Sequence, residues 1–219
     1  MTRPKSKKIS KQKVLLVEGR DEEELINKIL RRADRTDVEI FQSEGKDNIN
    51  RAIGAMKFFE GFDDVTHFGV IRDADGDANA AFTSVQHGLR QHGLPMPDAP
   101  SNPNTVGALT TSVLILPGNG QPGMLETLVW RTVETTQIAQ EAETFLTRCR
   151  GILPPADNGA RPDGPDGWRA PRNVDKARIC ALLSTMIDPQ GRMGIAAQQN
   201  YFDLQHQELR PLTDYIAAL

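Results

Sequence analysis

Along the first two thirds of the chain, short unbroken apolar runs alternate with stretches in which apolar residues return every three or four positions. Val14 to Val17 is continuous, which predicts a strand buried on both faces. Just after it, Leu25, Ile26, Ile29 and Leu30 recur at helical spacing; Asp21 is placed to cap that helix, and Glu22, Glu23 and Glu24 suit its positive end. VEIFQSEGKDNINRAIGAMKFF reads as a second strand, a Gly45-Lys46 loop and a helix starting near Asp47 or Asn48. VTHFGVIRDADGD is a third strand ending in acids, followed by the helical AFTSVQHGLRQHG and a loop in the Pro-rich PMPDAPSNPN. TTSVLILPGNG is a further buried strand.

The remainder is helical with one interruption. A helix is predicted from Met124 to about Arg150, with Glu126 in its first turn. Residues 151–172 are dense in Pro and Gly and read as a loop, after which helices are expected over Val174–Met186 and around Leu209–Leu219. Strands alternating with helices predict one α/β domain of the doubly wound kind, a mainly parallel sheet with helices on both faces. Its core spans 13–150, and a C-terminal helical extension, 173–219, packs on that core. No internal repeat is visible.

Composition narrows the picture. A chain of 219 residues can bury a full core, and no apolar stretch approaches the roughly 20 residues a membrane helix needs. The start, MTRPKSKKISKQK, is basic but lacks the apolar segment of a secretory signal, so a cytoplasmic location with no membrane contact is the expectation. Cys149 and Cys180 are too few and too far apart for a disulfide framework or a CxxC zinc site, and no histidine pair has ligand spacing. A net charge of −3 does not announce a nucleic-acid binder, yet Arg3, Lys5, Lys7, Lys8, Lys11 and Lys13 crowd residues 1–13. A flexible tail over 1–12 would either follow a phosphate backbone or serve as a solvated solubility segment. Trp130 and Trp168 read as core or loop anchors.

The candidate chemistry is acidic. Glu18 follows the first apolar run, and Asp73, Asp75 and Asp77 follow the third, so each group should stand at the carboxyl end of a strand, where α/β sheets keep their chemistry. If those strands are neighbours, the carboxylates converge and raise one another's pKa unless a cation neutralises them. A divalent metal, Mg²⁺ or Mn²⁺, is the natural occupant. Each acid also has a plainer reading: complementing a helix dipole for Glu18, Glu22 and Glu126, and turn chemistry for the DADGD run. An EF-hand fails on spacing, because Ala78 and Ser84 stand where Gly and Glu are needed. Asp73-Ala74-Asp75-Gly76 is similar to the nucleophile motif of haloacid-dehalogenase-like phosphatases. That family carries its motif on the first strand and has a late acid pair, which this chain lacks.

Taken together, VLLVEGRDE and VIRDADGD resemble the TOPRIM domain of topoisomerases, primases, OLD-family nucleases and small uncharacterised relatives, whose hallmark is a strand ending in Glu-Gly and a later one ending in Asp-x-Asp. The resemblance covers residues 13 to about 130 and implies a Rossmann-like TOPRIM fold with phosphodiester chemistry on DNA or RNA. In that reading Asp73 and Asp75 hold Mg²⁺, while Glu18 binds metal or acts as general acid/base. Glu22 matches the second acid of the OLD-like Glu-Gly-x-x-Glu pattern, and Asp77 the third acid of topoisomerase-type sites. Glu126 would join the metal site if its strand neighbours the others. Lys176 would correspond to the late catalytic lysine of OLD-like nucleases and Lys46 would pair with phosphate, although both also fit as plain surface cations. No Walker A loop, zinc module or context for a DNA-linking tyrosine is present, leaving a stand-alone metal-dependent nuclease, which could work with a partner such as an ATPase. The alternative of another class is a non-catalytic TOPRIM-like module that binds nucleic acid or protein.

Overall fold

The computed structural model describes residues 8–156 and 168–219. Its centre is a five-stranded sheet of β1 (Lys13–Val17), β2 (Val38–Gln42), β3 (His67–Asp73), β4 (Asn104–Val106) and β5 (Leu109–Leu116), in the order β2-β1-β3-β5-β4. The β2-β1, β1-β3 and β3-β5 pairings are parallel, and β4 runs antiparallel to β5 at the edge. Helices α1 (Arg20–Arg32), α2 (Ile49–Met56) and α3 (Ala78–Gln91) alternate with the parallel strands. They are followed by α4 (Leu125–Arg131), α5 (Gln137–Ile152), α6 (Val174–Leu183), α7 (Met193–Gln198) and α8 (Arg210–Ala218). This is an α/β fold of the Rossmann-like kind.

Period-two alternation sorts the buried strand residues into two cores, one on each face. Leu15, Val17, Ile71, Leu114 and Leu116 face α1 and α4 to α8, whereas Val14, Leu16, Phe68, Val70, Val113 and Ile115 face α2 and α3. Both faces are covered, which is why these strands are apolar runs rather than alternating ones. The C-terminal helices belong to the same core as the sheet. Tyr215 of α8 shares a 2.9 Å hydrogen bond with Ser112 of β5, and Arg178 of α6 holds Glu143 of α5 while lying over the Trp130 ring. Trp130 is accordingly in the core, whereas Trp168 is 73% exposed and anchors no core.

Six local points differ from these expectations. The helix predicted from Met124 to Arg150 is two helices, α4 and α5, because the chain turns over Thr132–Thr136 and Thr136 caps a new start through Ala139 N. The Pro-rich loop runs into a strand, β4, which folds back on β5 and closes the sheet edge. Helix α7 has no counterpart in the pattern, and the helix after Asn173 stops at Leu183 rather than Met186. Asp21 does not cap α1, whose N-cap is Gly19; its Oδ1 accepts from Gly194 N at 2.8 Å and so serves the start of α7. Finally, residues 8–12 of the supposed flexible tail are docked. Ile9 is buried, its N–H donates to Glu60 O, and Ser10 and Lys11 donate to Glu39. Residues 1–7, and residues 157–167 of the Pro/Gly-rich segment, lie outside the described residues, but Ala170 N donates to Pro154 O, which ties the two ends of that segment together.

Candidate active site

Strand β1 connects to β2 on one side and pairs with β3 on the other, so the crevice between the carboxyl ends of β1 and β3 is the switch point of the sheet. The register Leu16↔Val70 brings the residues just beyond, Glu18 and Asp73, to the same edge. Glu18 Oε1 accepts from Asp73 N at 3.1 Å, and Arg72 Nε stands 3.9 Å from the same oxygen. The two acidic strand tips are therefore neighbours.

From Asp73 onward, backbone contacts tie the acidic loop to the start of α4. Ala74 N donates to Leu116 O, and Asp75 and Gly123 exchange two backbone hydrogen bonds of 2.8 Å each. Asp73 Oδ1 accepts from Leu125 N at 3.0 Å, satisfying one of the free N–H groups that open α4. Glu126, the next residue, thereby joins the site, with Lys176 Nζ of α6 3.7 Å from its Oε1. Gly123 is required here: it sits at φ +133°, and a Cβ would stand 2.7 Å from Thr127 Oγ1. Gly123→Ala is expected to destabilise the fold by roughly 1–3 kcal/mol, read as a lowered thermal midpoint. An unchanged midpoint would mean that the clamp does not hold α4.

Glu22 approaches from α1. Its Oε2 lies 3.2 Å from where a Cβ on Gly19 would stand, so the glycine of the Glu18-Gly19 pair lets this carboxylate fold against the strand tip. Asp75 adopts a left-handed conformation, φ +51°, which Asp tolerates better than most residues, and its Oδ2 meets Lys46 Nζ at 2.7 Å. Asp77 is the N-cap of α3, accepting from Asn79 N at 2.9 Å and Ala80 N at 3.0 Å. Capping accounts for Asp77 without any metal.

Burial and mutual repulsion dominate the electrostatics. Burial pushes the Glu18 carboxyl up to about 7, with Glu22 and Asp75 adding to the rise against the Asp73 N–H and Arg72. Asp73, only 8% exposed, is raised well above the usual range, first by burial and then by Glu18, Glu22 and Glu126. Burial likewise raises Glu22, helped by Glu126, and raises Glu126 against the pull of Lys176. Four carboxylates thus form one coupled group in which the cations stand 3.7–3.9 Å away, too far for good hydrogen bonds.

Arg72 was not singled out by the sequence reading. Its Nε is buried without a hydrogen-bond partner beside Glu18, while its Nη1 donates to Ala81 O at 3.3 Å. The signal was there: a lone cation inside an apolar strand, immediately before the first Asp of the motif.

A model described as "Protein of unknown function (DUF3226)" matches residues 12–219. The chain belongs to this DUF3226 family. The match runs through both strand-tip motifs and the C-terminal helices, so the acidic group and Lys176 all fall within the family's span. No curated protein and no solved structure matches. Among the described residues no helix is long and apolar enough to cross a membrane.

An all-oxygen donor set suits a hard divalent cation, and the excess of buried negative charge would be relieved by one. Among the described residues, however, no three His, Cys, Asp or Glu side chains are already grouped as a metal-holding set. The fit to Mg²⁺ or Mn²⁺ therefore rests on donor chemistry and charge rather than on a closed cage. A cleft of about 570 Å³ lies elsewhere, between β5 and α8, and none of these acids lines it. The site is identified by converging charge, not by cavity size.

Proposed function

We propose that the protein is a divalent-metal-dependent phosphodiesterase acting on nucleic acid, built on a TOPRIM-like variant of the α/β fold. The observation that carries this reading is the convergence of Glu18, Glu22, Asp73 and Glu126 at the switch point, where burial raises the proton affinity of every one and repulsion within the group adds to the rise of Glu18, Glu22 and Asp73. A fold gains nothing from burying like charges side by side, whereas a cation site needs them.

Asp73, Glu18, Glu22 and Glu126 would be the principal holders of Mg²⁺ or Mn²⁺, with Asp75 beside them. When bound, such an ion polarises a phosphate and lowers the pKa of a coordinated water. Lys46 and Lys176, each paired to an acid of the site yet about half exposed, are placed to meet phosphate oxygens. Arg72 Nε, ion-paired to Glu18 at 3.9 Å but without a hydrogen bond, is a further donor toward negative charge. Glu18, with its carboxyl near neutrality, can take up or release a proton at working pH, the property a general acid/base needs.

Incubating the purified protein with single- and double-stranded DNA and RNA is expected to give cleavage of at least one polymer with Mg²⁺ or Mn²⁺, stopped by chelation. Absence of cleavage on every polymer, or cleavage that ignores chelation, rejects the reading. Phosphate release from a monoester with no polymer cut would support the haloacid-dehalogenase-like alternative instead. The lack of a ready-made three-donor group favours one competing reading, a non-catalytic TOPRIM-like module that binds nucleic acid or a partner protein. That module would bind polymer without cutting it.

A further inference from the structure

Helix α5 buries Ala139, Ala142 and Leu146 against the core and turns a second stripe to solvent. That stripe is Ile138, Glu141, Phe145, Arg148 and Ile152, spaced three and four residues apart as in a heptad seam. Ile138 is 46%, Phe145 58% and Ile152 82% exposed, unusual for large apolar side chains aligned on one helix. Glu141 and Arg148 make no ion pair among the described residues.

The stripe is symmetric about its middle residue. Ile138 lies seven residues before Phe145 and Ile152 seven after, so the three positions span about 21 Å in register on one side of the helix. Laid antiparallel on a copy of itself with Phe145 at the two-fold axis, α5 sets Phe145 against Phe145, each Ile138 against an Ile152, and each Glu141 level, within one residue, with an Arg148. Charge and apolar pattern are thus complementary to their own image, as an isologous contact requires. An unrelated partner would impose no such symmetry.

A groove completes the match. Beside Ile138, α5, α6 and the chain around Tyr201 enclose an apolar depression of about 310 Å³, lined by Val133, Leu182, Leu183 and Met186 as well. In the antiparallel arrangement the strongly exposed Ile152 of one copy arrives at Ile138 of the other, where this groove opens. We infer that the α5 stripe is the contact face of a two-fold homodimer, formed by antiparallel pairing of α5 with α5 of a second copy of this chain and seating each Ile152 in the groove beside the opposite Ile138.

Sedimentation equilibrium of the full chain is expected to give twice the 24.2 kDa mass. Phe145→Asp, at an exposed position, should weaken the dimer at least about tenfold with an unchanged circular dichroism spectrum. Glu141→Arg and Arg148→Glu should each weaken it, and combining the two should restore it, because the pairing is reciprocal. A chain that stays monomeric at every concentration overturns the inference. So does a Phe145→Asp protein that dimerises like wild type, or a double charge swap no tighter than the single ones.

Discussion

Asp73→Asn is expected to abolish the proposed metal-dependent cleavage, by at least about a hundredfold in kcat/KM, and at the same time to raise the thermal midpoint of the metal-free protein. Both effects come from one charge. Asp73 is buried, and Glu18, Glu22 and Glu126 all push its proton affinity up, so its carboxylate is the worst-placed charge in the site when no cation is present. An Asn keeps the shape, and its amide oxygen can still accept from Leu125 N, so α4 stays pinned to the tip of β3. What is lost is the negative ligand and what is gained is relief from repulsion, a trade of stability against function that a purely structural residue does not make. The check is paired: single-turnover cleavage with Mg²⁺, and thermal melts in chelator. Cleavage equal to wild type would remove Asp73 from the site. A lowered midpoint would show that the carboxylate stabilises the fold, contrary to its buried, crowded setting.

The metal-free protein is expected to become less stable as pH rises from about 4.5 through about 7. The sign follows from proton binding: Glu18 holds its proton up to about 7 in the folded chain but only to about 4.5 when unfolded, so between these values the folded state binds more protons and loses stability with increasing pH. At about 1.4 kcal/mol for each pH unit, Glu18 alone accounts for roughly 3 kcal/mol across the window. Glu22, Asp73 and Glu126 are raised as well and push in the same direction. Below about 3.8 the trend reverses, because Asp37 is held well below that value by Arg35 and Lys13 and loses those bonds on protonation. Thermal melts in chelator should therefore show a maximum on the acid side of neutrality, and Glu18→Gln should flatten the fall toward pH 8. Mg²⁺ should raise the midpoint more at pH 8 than at pH 5.5, since protons and cation compete for the same oxygens. A profile that is level from pH 5 to 8, or one that Glu18→Gln leaves unaltered, contradicts the coupled-carboxylate description.

Much of the architecture was legible in the pattern because its signals are local. Val14 to Val17 and the long run before Asp73 are strands for the reason they looked like strands: each is buried on both faces and needs apolar side chains on both, whereas VEIFQ, at the sheet edge, is only partly buried and keeps two polar residues. Leu25, Ile26, Ile29 and Leu30 face the core from α1, as their spacing required. The errors fall where the local signal is short or ambiguous. Three residues suffice for β4 because β5 supplies its partner, six for α7 because α1 packs along it, and neither leaves a readable period. Thr132–Thr136 contains no Gly or Pro, so the turn between α4 and α5 was invisible. Asp21 has the chemistry of a cap, but Gly194 N, 173 positions away, is the group it satisfies.

For the site, the motifs named the carboxylates and the fold sorted them. Composition and spacing were enough to put Glu18, Asp73 and Asp75 at strand ends, since a hydrophobic period reports where a strand stops. Whether those ends meet depends on strand order, which is settled by how the crossover helices cover both faces of the sheet, and no local period encodes that. The β1-β3 pairing joins Glu18 to the backbone of Asp73. The clamp through Gly123 and Leu125 brings in Glu126 and, from α6, Lys176, while Asp77 is turned aside to cap α3. Residues scattered over 159 positions become one charged group because long-range packing, not sequence proximity, sets the distances over which charges act.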